Sequence, residues 1–216
     1  MSASVLTLVI VVANVLGGAM ALPQAAKLLS SRRVDGVSAS WAGISITVNA
    51  WWAIYGLGTR DLSIVPVSIV SVMAYLAIAV ALVRYGTVAR RRTLATMAAS
   101  GGVVGLVPVV ALVLGGWTAA GVLLGALYGV QLSPAVVTVY RAPDVSGVST
   151  ATWGIAFAEA ALWGVYGFAR LDAGLVTLAA TGSVMSAVVL ARLLLRRRRP
   201  RSQRCTEYAG LGLAAA

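Results

Sequence analysis

The chain has 216 residues, 60% of them hydrophobic and 11% charged, with a formal net charge of +11 and a mean hydropathy of +0.92. A soluble domain of this size cannot hide so much apolar surface from water, so the solvent implied for the folded chain is a bilayer. Histidine is absent and cysteine occurs once, which argues against a metal site or other resident cofactor and excludes an intrachain disulfide.

Seven apolar runs approach or reach the roughly 20 helical residues that cross a hydrocarbon core: 5–28, 38–57, 62–84, 93–115, 117–140, 150–168 and 172–194. Helix is the economical conformation for each, because lipid leaves no other partner for the backbone. Ala19-Met20-Ala21 resembles a signal-peptidase site, but no positive charge precedes the apolar run, so 5–28 reads as a retained first helix. Every Lys and Arg except Arg60 and Arg170 falls on one side of this seven-span arrangement. That asymmetry predicts an N-terminus outside and a C-terminus in the cytoplasm. It also makes the basic residues topology signals rather than a nucleic-acid surface. The Gly-, Ala-, Val- and Arg-rich composition points to a bacterial cytoplasmic membrane.

A pattern in the first half returns 111 residues later. Pro23 pairs with Pro134, Gly36-Val37-Ser38 with Gly147-Val148-Ser149, Trp52-x-x-Tyr55-Gly56 with Trp163-x-x-Tyr166-Gly167, and Asp61 with Asp172. Trp41 and Trp153 pair after a slip of one residue. The predicted fold is therefore an all-α integral membrane protein of seven transmembrane helices. It comprises a triple-helix repeat over 1–86, a basic loop and linker helix over 87–116, a second repeat over 117–195 and a basic, disordered tail over 196–216. One intervening crossing makes the two repeats parallel, a transporter architecture.

Several residues carry candidate chemistry. Pro23 and Pro134 each remove a helical hydrogen bond and read as hinges near the inner gate, with Gln24 beside the first. Trp52 and Trp163 offer flat faces and one N–H each to a pocket between the repeats, or anchor at the interface. Glu159 lies mid-helix, where a carboxylate is expensive, four residues before Trp163 and on its face; Asn49 lies three before Trp52. Glu159 reads as a substrate contact or a proton carrier, against a plain bond between helices. Asn14 and Gln131 either join the polar network or pair across helices. Asp61 and Asp172 read as caps of the helices they precede. Gly121, Gly125 and Gly129 form overlapping GxxxG steps for close packing, within the bundle or in a homo-oligomer. No histidine to serve as a general base, no cysteine pair and no phosphate loop is present, so the chain is not read as an enzyme.

Pro23-Gln24, the basic loop, Gly36-Val37-Ser38 and the doubled Trp-x-x-Tyr-Gly motif resemble the PQ-loop superfamily, and within it the SWEET sugar-transporter branch. The resemblance covers about residues 5–195. It implies an alternating-access facilitator for mono- or disaccharides with a central pocket, and places substrate-binding positions at Ser68 and Ala179, where relatives carry asparagine. The second copy has Pro134-Ala135, so Gln24 has no counterpart. Two further readings stay open: a proton-coupled carrier of an amino acid or other small metabolite using Glu159, and a non-transporting PQ-loop receptor or assembly protein.

Overall fold

The computed structural model describes residues 2–34, 37–141 and 148–198. Cys205, Gly36, Gly147 and most of the basic tail lie outside the described residues. Within them the chain forms six helical elements and no strand: α1 Ala3–Ser31, α2 Ala39–Gly58, α3 Val65–Tyr85, α4 Arg90–Arg141, α5 Thr150–Arg170 and α6 Ala173–Arg198. The serines of the two Gly-Val-Ser copies explain two of the helix starts. Ser38 Oγ accepts from the Trp41 N–H at 3.3 Å and Ser149 Oγ from the Thr152 N–H at 3.2 Å, each satisfying one orphan donor of its first turn.

Four elements are long and apolar enough to cross a membrane: α1, α3, α4 and the Ala173–Leu195 part of α6. Helices α2 and α5, with 20 and 21 residues, have the length, about 30 Å at 1.5 Å per residue. Their Ser, Asn, Trp, Tyr and Glu residues lower their hydropathy. Outward-facing residues are apolar, as with Leu8 and Val15, both 63% exposed, and Val103, 69% exposed. So much contiguous apolar surface suits lipid rather than water.

The separate helices predicted over 93–115 and 117–140 run together as α4, because nothing but Gly115-Gly116 divides them. An unbroken rod of its 52 residues would span about 78 Å, more than twice a hydrocarbon core of about 30 Å. It is broken at those glycines, which leave helical geometry at φ −143°, ψ 15° and φ 67°, ψ −163°. The second conformation is in the left-handed half of φ space, where glycine pays no Cβ penalty. The chain reverses there. In the first arm (90–114) Met97, Gly101 and Gly105 lie against Gly43, Thr47 and Trp51 of α2, both sequences rising together. In the second arm (117–141) Trp117 lies against Gly58, Gly121 against Tyr55, and the Gln131 carbonyl against Trp41, so this arm runs opposite to α2.

In the first half α3 packs on both α1 and α2, while α1 and α2 make no close backbone approach to each other. The second half repeats this, with α6 against both α4 and α5. Between the halves α1 meets α5 and α2 meets α4. Equivalent positions do equivalent jobs with different chemistry. Asn14 clips α1 to the start of α3, accepting from Val67 N–H at 2.9 Å and donating to the Ser63 carbonyl at 3.0 Å. Its repeat mate Gly125 instead lets the second arm lie directly on α6. A Cβ there would sit 2.6 Å from Leu178 N and 2.8 Å from the Gly174 carbonyl oxygen.

All three GxxxG glycines are buried within this one chain. A Cβ on Gly121 would strike the Tyr55 ring at 2.7 Å, and Gly129 faces Thr181 and Met185 of α6. We expect Gly125→Ala to lower the unfolding temperature by several degrees, the overpacking cost being about 1–3 kcal/mol. Gly102→Ala meets nothing within 4 Å and should leave stability unchanged or slightly higher. Equal melting of the two variants in detergent would contradict this packing.

Candidate functional site

The Trp-x-x-Tyr-Gly copies and the aspartates that follow them meet at one end of the molecule. In each copy the glycine permits a close helix approach: a Cβ on Gly56 would sit 2.9 Å from the Asp61 carbonyl oxygen, and one on Gly167 would sit 2.8 Å from Leu175 Cβ. A residue with positive φ then ends the helix, Arg60 at 59° and Leu171 at 55°. The following N–H turns back to the glycine carbonyl, Asp61 to Gly56 at 2.8 Å and Asp172 to Gly167 at 2.9 Å, the closure of a Schellman motif.

These turns hold each aspartate opposite the tyrosine of the other copy. The Tyr55 hydroxyl donates to the Asp172 carboxylate, 2.9 Å from both oxygens. The Tyr166 hydroxyl donates to Asp61, 2.8 and 2.7 Å from its oxygens. Both rings are buried and each is backed edge-on by its own tryptophan, Trp52–Tyr55 at 5.5 Å and Trp163–Tyr166 at 6.1 Å between centroids. The two halves are thus joined at this end by a reciprocal pair of charge-assisted bonds. The predicted helix caps need correction. Asp172 does cap α6, accepting from Leu175 N–H at 2.9 Å. Asp61 does not cap α3, whose N-cap is Ile64; it accepts from Ser63 N–H within the turn.

Beneath the paired ends the interior is polar and asymmetric. Glu159 is 8% exposed and Oε1 accepts from Trp163 Nε1–H at 3.0 Å. Gly17 of α1 makes room for it, since a Cβ there would lie 2.9 Å from that oxygen. Trp52, the mate of Trp163, has its Nε1–H buried without a partner, as are Gln131 Oε1 and Ser45 Oγ. Gln131 Nε2 donates to the Tyr75 hydroxyl at 3.2 Å, and Trp41 stacks edge-on against Tyr75 at 5.3 Å. Tyr128 packs against α6, where a Cβ on Gly182 would lie 2.8 Å from its ring. In repeat register Glu159 corresponds to Val48, Tyr128 to Gly17, Tyr75 to Ser186 and Gln131 to Met20. Each buried, unpaired polar group costs about 1–3 kcal/mol. Such a set leaves donors and acceptors that a polar group reaching them can satisfy.

The residues singled out by sequence fall into three groups. Trp52 and Trp163 lie in one buried cluster with Val48, Leu124 and Ala13, and Glu159 adjoins it. Asn49, Ser68 and Ala179 offer that centre little. Asn49 donates to the Ser45 carbonyl at 2.8 Å and has no bond to Glu159 or either tryptophan. The Ser68 hydroxyl donates to Ile64 O at 2.9 Å, and Ala179 packs on Gly164. Pro23, Gln24 and Pro134 are exposed on helices that continue through them. Pro134 frees the Val130 carbonyl, and the neighbouring Ser133 Oγ donates to it at 2.8 Å. Tyr75, Tyr128 and the Tyr–Asp cross-pairing are not among the sequence candidates. The recurrence of both Tyr and Asp at one spacing was the available signal for the pairing. No protein-family model matches the chain, and no curated protein is similar to it in sequence.

Proposed function

We propose that the chain is a membrane transporter of the SWEET-like PQ-loop kind, moving a small polar solute by alternating access between two parallel three-helix repeats. The observation that carries this is the reciprocal Tyr55–Asp172 and Tyr166–Asp61 pairing over a buried centre with unpaired polar groups. Two equivalent, breakable bonds between equivalent halves are what a gate needs, and a satisfied static bundle would have no use for an orphaned Trp52 N–H. The reversal at Gly115-Gly116 supports seven crossings, and the basic residues support an outer N-terminus and a cytoplasmic C-terminus. The Tyr–Asp pairs then form the outer gate, closed in this conformation.

A mono- or disaccharide is the first candidate solute, because tryptophan faces with scattered donors and acceptors match a hydroxyl-bearing ring. Glu159 favours a second reading, proton-coupled carriage of an amino acid or similar metabolite. Among the described residues its one hydrogen-bond donor is Trp163, and no cation faces it. The test is counterflow into liposomes containing purified protein, with labelled sugars and amino acids screened in parallel. We expect trans-stimulated uptake of at least one solute, saturable and lost on Trp52→Ala. Absence of counterflow across both solute classes would favour a receptor or assembly role.

A further inference from the structure

We propose that the end of the first half opposite the Tyr–Asp pairs holds an anionic phospholipid headgroup. A cavity of about 690 Å³ opens there between the ends of α1 and α3 and the starts of α2 and α4. Arg32, Arg33 and Arg92 line it, together with Thr87 and Thr96, and no acidic side chain does among the described residues. Arg32 is fixed by its backbone: at φ 55° it terminates α1, and its N–H returns to the Leu28 carbonyl. A further cation stands close by, because Arg84 lies over the ring of Tyr85, itself a lining residue, at 5.8 Å. This charge density is that of a site for a phosphate diester or monoester, which guanidinium groups bind in a bidentate manner.

The remaining wall decides between lipid and soluble phosphate. Leu82, Val34, Val37 and Val88 line the same cavity, and Val88 is 53% exposed. Toward the same ends of α1 and α3, Leu29 and Val80 are 40% and 55% exposed. A ligand with a charged head and apolar tails satisfies both surfaces, whereas a free phosphate ester satisfies one. Basic pockets between helix ends, at the level where apolar runs stop, suit lipid heads.

The experiment titrates the purified full chain in a non-ionic detergent and follows its unfolding temperature. Three probes are used: diheptanoyl phosphatidylglycerol, diheptanoyl phosphatidylcholine and glycerol 3-phosphate. The phosphatidylglycerol should stabilise saturably and the other two should not. Arg92→Gln alone, and with Arg32→Gln, should raise its half-saturating concentration tenfold or more. Arg92→Lys, which keeps the charge but not the bidentate fork, should fall between the wild type and the glutamine variant, and Arg60→Gln, at the far end, should titrate as the wild type. Equal stabilisation by phosphatidylcholine, or unchanged titration of both glutamine variants, would overturn the site. Glycerol 3-phosphate matching phosphatidylglycerol would overturn the lipid assignment and leave a site for soluble phosphate esters.

Discussion

Removing both gate hydroxyls, Tyr55→Phe with Tyr166→Phe, is expected to cut counterflow at least tenfold while the protein remains folded. Each hydroxyl donates to a carboxylate across the halves, and a bond to a charged group is worth about 1.5–3 kcal/mol. Losing two weakens the closed outer end by about 3–6 kcal/mol, or roughly 10²- to 10⁴-fold in the equilibrium between closed and open. A carrier that cannot stay closed on one side cannot open on the other. Because the two pairs are equivalent, the single variants should resemble each other and each should lose less than the double. Accessibility provides a second readout. In a Cys205→Ser background, a cysteine placed at Ser45 should react faster with an external thiol reagent once both hydroxyls are gone. Wild-type transport and unchanged reactivity in the double variant would remove the gate.

Glu159→Gln should have the other large effect. The amide can still accept from Trp163 Nε1, so the bond at 3.0 Å and the room left by Gly17 are kept while the charge is lost. If Glu159 contacts the solute, apparent affinity should fall about 10- to 100-fold, the worth of a charge-assisted bond, with the pH dependence of transport unaltered. This is the outcome we expect. Loss of gradient-driven accumulation with exchange preserved would instead assign proton coupling. Normal transport with a lower unfolding temperature would reduce Glu159 to a bond between helices.

The Tyr–Asp end of the molecule was more legible in the sequence than its centre, for a physical reason. There the two copies do the same job, so Tyr55, Asp61, Tyr166 and Asp172 recur in register and the repeat marks them. At the centre the copies diverge: Glu159 corresponds to Val48 and Tyr128 to Gly17. Repeat spacing carries no signal for such positions. Glu159 was noticed because a lone acid in an apolar run is costly, whereas Tyr75 and Tyr128 look like ordinary membrane aromatics. Ser68 is a binding position by analogy alone, and in the structure its hydroxyl donates within its own helix to the Ile64 carbonyl. The helix boundaries followed hydropathy, and the division expected between 115 and 117 falls at Gly115-Gly116, where the backbone leaves helical geometry.

The most direct test of alternating access is to lock the proposed gate. Tyr55→Cys and Asp172→Cys are introduced together in a Cys205→Ser chain, and a bifunctional thiol reagent that spans the pair and is cleavable by reductant is applied in liposomes. Counterflow should stop on cross-linking and return on reduction, while a single-cysteine control treated with the same reagent keeps transporting. Undiminished counterflow through the cross-linked protein would show that this end does not open during transport, and would contradict the account.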